Sequence, residues 1–217
     1  MTDLAATDKL FFERTDMSAA RVEAIVRDSL AGMEDGELFL EYSLSEALAF
    51  DDGKLKTASF DTAQGFGLRA ISGEVTGFAH SGELSEAAIR RAGETVRAVR
   101  QGHGGTLAEP PRGTNRSLYT DANPLNAVPF AEKVKLLAEI DAYARAKDPR
   151  IRQVSCSLMG EWRAVQIIRP DGVRVGDIRP LVRLNVSVVV GDGDRMETGS
   201  AGSGGRTGYQ SYIDPAY

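Results

Sequence analysis

The side chains most able to do chemistry in this 217-residue chain are its two histidines and its one cysteine. His80 and His103 have no second histidine or cysteine at ligand spacing, and the sequence contains no HExxH or CxxC motif. Cys156 alternates with Val154 and Leu158, so we expect it on a buried strand face as a small hydrophobic residue rather than a nucleophile. The residues alone therefore predict neither a metal site nor a catalytic centre in this chain.

Other patterns come close to ligand-binding motifs without meeting their requirements. Residues 65–70, GFGLRA, fit the loose dinucleotide pattern but run into a hairpin instead of a helix, so their glycines predict bulges or close backbone approach within a strand. Asp192 and Asp194 lack the ligand spacing of a calcium loop, and Asp51 and Asp52 belong to a turn. These patterns predict neither nucleotide nor metal binding.

The composition narrows the class of protein. A hydrophobic content of 42% and a charged content of 26% are ordinary for a globular protein, and no apolar run is long enough to cross a bilayer. The net charge of −5 gives no reason to expect a nucleic-acid partner. The acidic N-terminus is unlike a signal peptide, and a lone cysteine fits a reducing compartment, so we expect a cytoplasmic protein with no membrane partner.

The clearest element is a strand over residues 182–190, in which apolar residues alternate with Arg183, Asn185 and Ser187. Burial of one face would fix its register, while the other face must meet water or a ligand. This mixed pattern favours an antiparallel sheet, because strands of a covered parallel sheet read as continuous apolar runs.

The remaining elements follow from periodicity and turn signals. The first half predicts a short helix within 7–15, a helix capped by Ser18, strands over 37–50, 54–60, 64–71 and 74–80, and a helix over 85–100. The second half predicts a helix opened by Pro129 with Phe130, Val134, Leu137, Ile140 and Ala144 buried, then strands over 152–159, 162–169, 173–177, 182–190 and 195–200.

The two halves share this order of elements. The turn glycines Gly53 and Gly172 are 119 residues apart, and the hairpin glycines Gly73 and Gly193 are 120 apart. We therefore predict an α+β fold built from a duplicated helix plus antiparallel-sheet unit, with repeats over about 16–101 and 129–205. A glycine- and proline-rich connection joins them. Two meanders of similar size aligned by chance are the alternative.

Three blocks of the sequence resemble the N-terminal region of the TldD/PmbA metalloprotease family, in particular its TldD branch. They are QGFGLRAISGEVTGFA at 64–79, DIRPLVRLNVSV at 177–188 and GSAGSGGRTGY at 199–209, with weaker support from SLY at 117–119 and NPL at 123–125. The resemblance implies a TldD/PmbA N-terminal domain-like fold over residues 1–217.

The resemblance also implies a function. In the family, the zinc ligands belong to an HExxxH motif and a later cysteine in the C-terminal half, and this chain has none of them. It would then be a fragment, inactive alone, of a cytoplasmic peptidase that acts on small or unfolded peptides and pairs with a PmbA-like subunit or a second copy. An older family label, modulator of DNA gyrase, finds no basic surface in this sequence to support it.

The glycine-rich stretch is the candidate substrate path, because exposed backbone groups can pair with any extended peptide. We assign Gly202, Gly204, Gly205 and Arg206 to it, with a flexible linker as the alternative. Arg183 is the candidate interface residue, on a strand face too mixed to be core. Because of that face, we expect the isolated chain to self-associate or to be less soluble than the full-length protein.

Two function classes remain open at this point. The first is the substrate-enclosing and assembly half of a zinc metallopeptidase. The second is a free-standing binding or regulatory module that is not an enzyme. The gene sequence after Tyr217 would separate them, because an HExxxH motif downstream supports the first class and a stop codon the second.

Overall fold

The fold is an α+β arrangement of five α-helices and six strands within the residues that the computed structural model describes, 2–99 and 118–213. His103 and most of the glycine- and proline-rich connection lie outside these residues. The helices are α1 (Thr2–Asp8), α2 (Ala19–Ser29), α3 (Glu86–Val96), α4 (Phe130–Lys147) and α5 (Gln210–Ile213), with a π-helical turn over Lys9–Glu13 and a 3₁₀ turn over Arg97–Val99. The strands are β1 (Asp35–Asp51), β2 (Lys54–Ser72), β3 (Val75–Ser81), β4 (Ile151–Ile168), β5 (Arg174–Asp192) and β6 (Arg195–Gly205).

The strands form one sheet in the order β3-β2-β1-β4-β5-β6. The hairpin pairs β2/β3 and β5/β6 are antiparallel, as the alternation of residues 182–190 predicts. The tight turns carry positive φ at Gly53, Gly73, Gly172 and Gly193, which glycine adopts without strain. The duplication of the two halves stays a prediction.

Three strands are longer than the sequence predicts. β2, β4 and β5 each join two segments that we expected to be separate, so the predicted breaks near residues 61–63, 160–161 and 178–181 are wrong. Pro180 lies in β5 but outside the segment that pairs with β6, because that pairing begins at Val182. A proline, which has no N–H to donate, is tolerated at such a position. Hydrogen bonding to neighbouring strands thus keeps these segments extended although their own strand propensity is weak.

The chain divides into two compact units, which contain different segments of the long strands. Unit 1 comprises Met1–Ser43, Ala63–Leu118 and Arg163–Ile178. In its core, α2 and α3 pack closely because Gly93 faces Ser29, where a methyl group would collide with the serine hydroxyl.

Unit 2 comprises Leu44–Thr62, Tyr119–Trp162 and Arg179–Tyr217. Its core joins α4 to one sheet face, through the buried side chains Leu48, Phe50, Leu125, Val128, Leu137, Val154, Cys156, Leu158, Val182, Leu184, Tyr209 and Tyr212. Pro129 is the residue before α4, not its first helical residue. Phe130, predicted to be buried, is half exposed, because the buried stripe of α4 runs instead through Lys133, Leu137 and Asp141.

Candidate functional site

Strand β6 is an edge strand of the described sheet, and it belongs entirely to unit 2. It pairs with β5 from Val182↔Gly205 to Asp192↔Arg195, so its other side has no strand partner among the described residues. Most of its residues are exposed on both faces. Such an edge presents a row of backbone N–H and C=O groups that another extended chain can pair with.

The glycine-rich segment is therefore mostly strand. Gly202, Gly204 and Gly205 lie in β6, so this strand extends beyond the predicted 195–200, and the alternative of a flexible linker is wrong for residues 199–205. Arg206 follows the strand and is tied down, because its guanidinium lies 5.2 Å from the centre of the Tyr119 ring and donates to the Pro180 carbonyl. This arginine holds the end of the strand in place.

The sheet face of unit 2 opposite α4 carries mainly small side chains, and we call it the open face. Its members lie on four neighbouring strands and are partly or fully exposed: Ser45, Ala47 and Ala49 of β1, Ser155 and Ser157 of β4, Arg183, Asn185 and Ser187 of β5, and Ser200 and Gly202 of β6. Two shallow hollows lie on this face, and Arg183 lines both. This face is therefore at least partly exposed to solvent in the part of the chain that the structure describes.

Arg183 and Asn185 form a hydrogen-bonded pair on the open face. The Arg183 Nε donates to Asn185 Oδ1 at 2.9 Å, and Asn185 Nδ2 donates to Ser157 Oγ at 3.4 Å. Arg183 has no ion pair with any described residue. Its two terminal nitrogens therefore remain available as a planar pair of donors.

Behind the open face lies a buried charged cluster, which we call the lysine clamp: Lys133, Glu46 and Tyr209. Lys133 is only 1% exposed, and its Nζ donates to Glu46 Oε1 at 2.6 Å and to the Leu125 carbonyl at 2.7 Å. The ammonium also lies 4.6 Å from the centre of the Tyr209 ring. Burying a lysine is tolerated only with such partners.

Tyr209 completes the clamp. It is fully buried, and its hydroxyl donates to Glu46 Oε1 at 3.1 Å. Burial, and then the neighbouring Glu46 carboxylate, raise the pKa of Tyr209 well above its usual range, so the phenol stays protonated. Gly160 makes room for it, because a methyl group at that position would collide with the Tyr209 hydroxyl. The clamp fixes the chain four residues after β6 ends.

The open side of unit 1 has a different chemistry, and we call it the paired face: Asp35, Glu37, Glu41, Arg69, Arg163 and Arg169. Arg69 donates to both Glu37 oxygens, at 2.8 and 3.0 Å. Arg169 lies 3.1 Å from Asp35, and Arg163 lies 3.8 Å from Glu41. Each of these arginines already has a carboxylate partner.

The other residues singled out in the sequence have structural surroundings. Cys156 is 3% exposed, which confirms it as a core residue, and burial raises the pKa of its thiol to about 11. His80 stacks on Phe78. Gly65 and Gly67 lie within β2 at close contacts with β3, as predicted. Asp51 is a turn-proximal acid whose pKa is lowered by hydrogen bonds from Gln153 and Ser155.

Metal-binding clusters and membrane-spanning helices are both absent from residues 2–99 and 118–213. There the structure has no group of three or more histidine, cysteine, aspartate or glutamate side chains placed to hold a metal ion. The same residues contain no helix with the length and hydrophobicity of a membrane span.

The lysine clamp is the part of this site that sequence reasoning missed. Lys133 lies four residues before Leu137 and eight before Asp141, so the three share one helical face. A lysine and an aspartate on an otherwise buried stripe are the signal that would have indicated a buried charge with a partner.

The fold and site thus define an α+β domain with an exposed edge strand beside an uncovered sheet face. The sequence pattern of PmbA/TldA metallopeptidase domain 1 matches residues 36–100, and that of the PmbA/TldA metallopeptidase central domain matches residues 123–216. The chain belongs to this PmbA/TldD metallopeptidase family, and it matches the family's first and central domains.

Relatives and solved structures agree with this assignment. The chain is 37% identical over 181 residues to a metalloprotease TldD homolog of Haemophilus influenzae, and 31% identical over 179 residues to one of Buchnera aphidicola. These matches cover 82% of the chain but 38% and 37% of the relatives, so the chain spans well under half of their length.

The fold is shared with more distant proteins. A Bacteroides thetaiotaomicron protein described as a modulator of DNA gyrase superposes with a TM-score of 0.71 at 13% identity, covering 87% of this chain and 44% of that one. TldE from Thermococcus kodakarensis superposes with a TM-score of 0.62 at 16% identity, covering 86% and 43%. At these identities the likeness establishes the fold alone.

Proposed function

We propose that this chain is the substrate-enclosing and assembly part of a TldD-like metallopeptidase that acts on small or unfolded peptides. The observation that carries the proposal is the exposed edge of β6 beside the open face. An extended peptide can add to this edge through backbone hydrogen bonds, irrespective of its sequence. Gly202, Gly204 and Gly205 then belong to the substrate path as backbone contacts, and Arg206 as the residue that fixes its end.

The metal implied by the family belongs elsewhere in the whole protein. The described residues of this chain do not fit a metal ion, because no sufficient ligand set lies together. We propose that zinc, and with it bond cleavage, reside outside this chain, and that the chain contributes binding and orientation. Its inactivity alone and its location in the cytoplasm stay predictions.

Assembly belongs to the same proposal. The resemblance predicts a PmbA-like partner or a second copy of the chain, and the mixed strand face predicts Arg183 at the interface. Arg183 is exposed and lacks an acidic partner among the described residues, which suits an interface as well as a ligand site. Light scattering that finds a clean monomer at high concentration would contradict self-association through this face.

A pair of proline substitutions tests the substrate path in the full-length enzyme. Successive residues of a strand direct their N–H groups to opposite sides, so in one of Ser200→Pro and Ala201→Pro the lost N–H points to the free edge, and in the other it points to β5. We expect the free-edge variant to raise peptide KM with little loss of stability, and the other to lower stability. Unchanged KM in both variants would refute the proposal.

A further inference from the structure

Arg183 differs from the arginines of the paired face. Arg69, Arg163 and Arg169 each lie within 4 Å of a carboxylate, whereas Arg183 has no acidic partner in the part of the chain that the structure describes. It is also the one cation among the described residues that line the two hollows of the open face.

Its guanidinium is nevertheless held in place. The Nε is bound to Asn185 Oδ1, and Asn185 is itself bound to Ser157 on β4. An arginine fixed through Nε retains its terminal pair of donors, whose fork geometry matches a carboxylate. The side chain is therefore oriented before any ligand arrives, which lowers the entropy lost on binding.

Two glycines of β6 lie directly opposite this pair. Arg183 pairs with Gly204 and Asn185 pairs with Gly202, so all four lie on the open face. A methyl group at Gly202 would collide with Asn185 Oδ1, and one at Gly204 would lie 3.4 Å from Arg183 Cγ. The stem of Arg183 and the amide of Asn185 thus lie beside two positions of β6 that carry no side chain.

A side chain of a peptide added to that edge would lie within reach of Arg183. Neighbouring strands lie about 4.8 Å apart, so an added strand would be about 10 Å from β5, a distance that an arginine and a glutamate side chain span together. The peptide residue opposite Gly204 would direct its side chain onto the same open face. Between it and Arg183 only the glycine intervenes.

We infer that Arg183 and Asn185 form an anchor for an acidic side chain of an extended peptide bound along β6. This inference rests on the proposed function. It adds a preference for one kind of peptide side chain to a binding edge that otherwise contacts only the peptide backbone. Asp51, Asp61 and Glu161 line the same hollows and disfavour a free anion. The anchor therefore takes a carboxylate when backbone pairing presents it.

A nuclear magnetic resonance titration of the chain tests this inference. The probes are the acetylated and amidated pentapeptides TVEVT and TVQVT, with sodium acetate as the free carboxylate. We expect both peptides to shift amide signals of residues 195–205, TVEVT to bind about five- to tenfold more tightly than TVQVT, and acetate not to bind.

Variants separate the anchor from the edge. Arg183→Gln should remove the preference for TVEVT while TVQVT still binds, and Gly202→Ala should weaken the preference by displacing Asn185. Gly199→Ala is the matched control on β6, because a methyl group there has only Val188 Cγ2 nearby, at 3.8 Å.

The outcomes are distinct. Equal binding of both peptides to the unaltered chain, or a preference that survives Arg183→Gln, refutes the anchor and leaves the edge proposal standing. If neither peptide shifts residues 195–205, the edge proposal fails and the anchor fails with it.

Discussion

The open sides of the two units are built from opposite chemistries. In unit 1 the arginines of the paired face are each matched to a carboxylate, as Arg69 is to Glu37 through two hydrogen bonds. In unit 2 the hollows of the open face are lined mainly by small residues together with Asp51, Asp61 and Glu161, and Arg183 has no acidic partner among the described residues. Arginines that are already matched have little to offer a carboxylate, whereas an oriented arginine without an acidic partner is suited to binding one.

Unit 2 does contain a matched charge, but it lies behind the sheet. The lysine clamp buries the ammonium of Lys133 against Glu46 and Tyr209. In unit 2 the charges of the lysine clamp, which stabilise the fold, and the charge of Arg183, which is available to a ligand, thus lie on opposite faces of the sheet. Substitutions in the lysine clamp should therefore lower stability more than a substitution of Arg183.

The largest expected loss of stability is in the clamp. Lys133→Met should lower the free energy of unfolding by about 3–5 kcal/mol, because it leaves the Glu46 carboxylate buried without its cation. Combining it with Glu46→Leu should recover much of the loss. Urea unfolding measures both, and Lys135→Met, at an exposed site on the same helix, is the control. A loss below 1 kcal/mol for Lys133→Met would contradict the clamp.

In unit 1, Arg174→Met should cost about 1–3 kcal/mol. This arginine is largely buried, pairs with Asp8 and Glu23, and lies over the Phe12 ring, so its removal leaves two carboxylates with less compensation. The same urea measurement applies. The exposed Arg195→Met is the control, and an effect no larger than the control would show that matched charges in unit 1 do not stabilise the fold.

Tyr209→Phe should cost about 1 kcal/mol at pH 8 through loss of the hydrogen bond to Glu46. The effect depends on pH, because the pKa of Tyr209 is raised by folding above its unfolded value of about 10. Its stabilising contribution is complete below pH 10 and declines as pH rises above it. The difference between the unaltered chain and the variant should therefore shrink between pH 8 and pH 11. A constant difference would place the phenol in water.

The smallest effect on stability is expected at Arg183. Arg183→Ala should change the free energy of unfolding by less than about 0.5 kcal/mol, because the side chain is exposed and has no ionic partner among the described residues. Urea unfolding alongside Arg174→Met gives the comparison directly. A loss equal to that of Arg174→Met would mean that Arg183 stabilises the fold, and the contrast between a matched arginine of unit 1 and the unmatched Arg183 of unit 2 would disappear.

Most strands and turns of the fold are predictable from sequence patterns. The alternation of residues 182–190 predicts the face of β5 correctly, and the hairpins at Gly73 and Gly193 are where turn signals place them. The predicted breaks in β2, β4 and β5 were wrong because local propensity takes no account of residues that are distant in sequence. Gly160, for example, is a residue type that usually interrupts a strand, yet in β4 it leaves the space that the Tyr209 hydroxyl occupies.

The candidate site was predictable only in part. The glycines of 199–205 are visible as a cluster, but their extended form follows from pairing with β5, which a single sequence does not show. The lysine clamp joins residues separated by up to 163 positions, and only the fold brings them together. The proposed function depends on the family resemblance, because residue spacing in this chain predicts no catalytic motif.

Amide hydrogen exchange along β6 tests the central claim most directly. In the chain alone, alternate residues of 195–205 whose N–H groups face the free edge should exchange fast, and those bound to β5 should exchange slowly. A saturating concentration of the TVEVT peptide should slow the first set and leave the second unchanged. Slow exchange of every amide in the chain alone, or fast exchange of the free-edge set with peptide present, would contradict an edge that is open and ready for a strand.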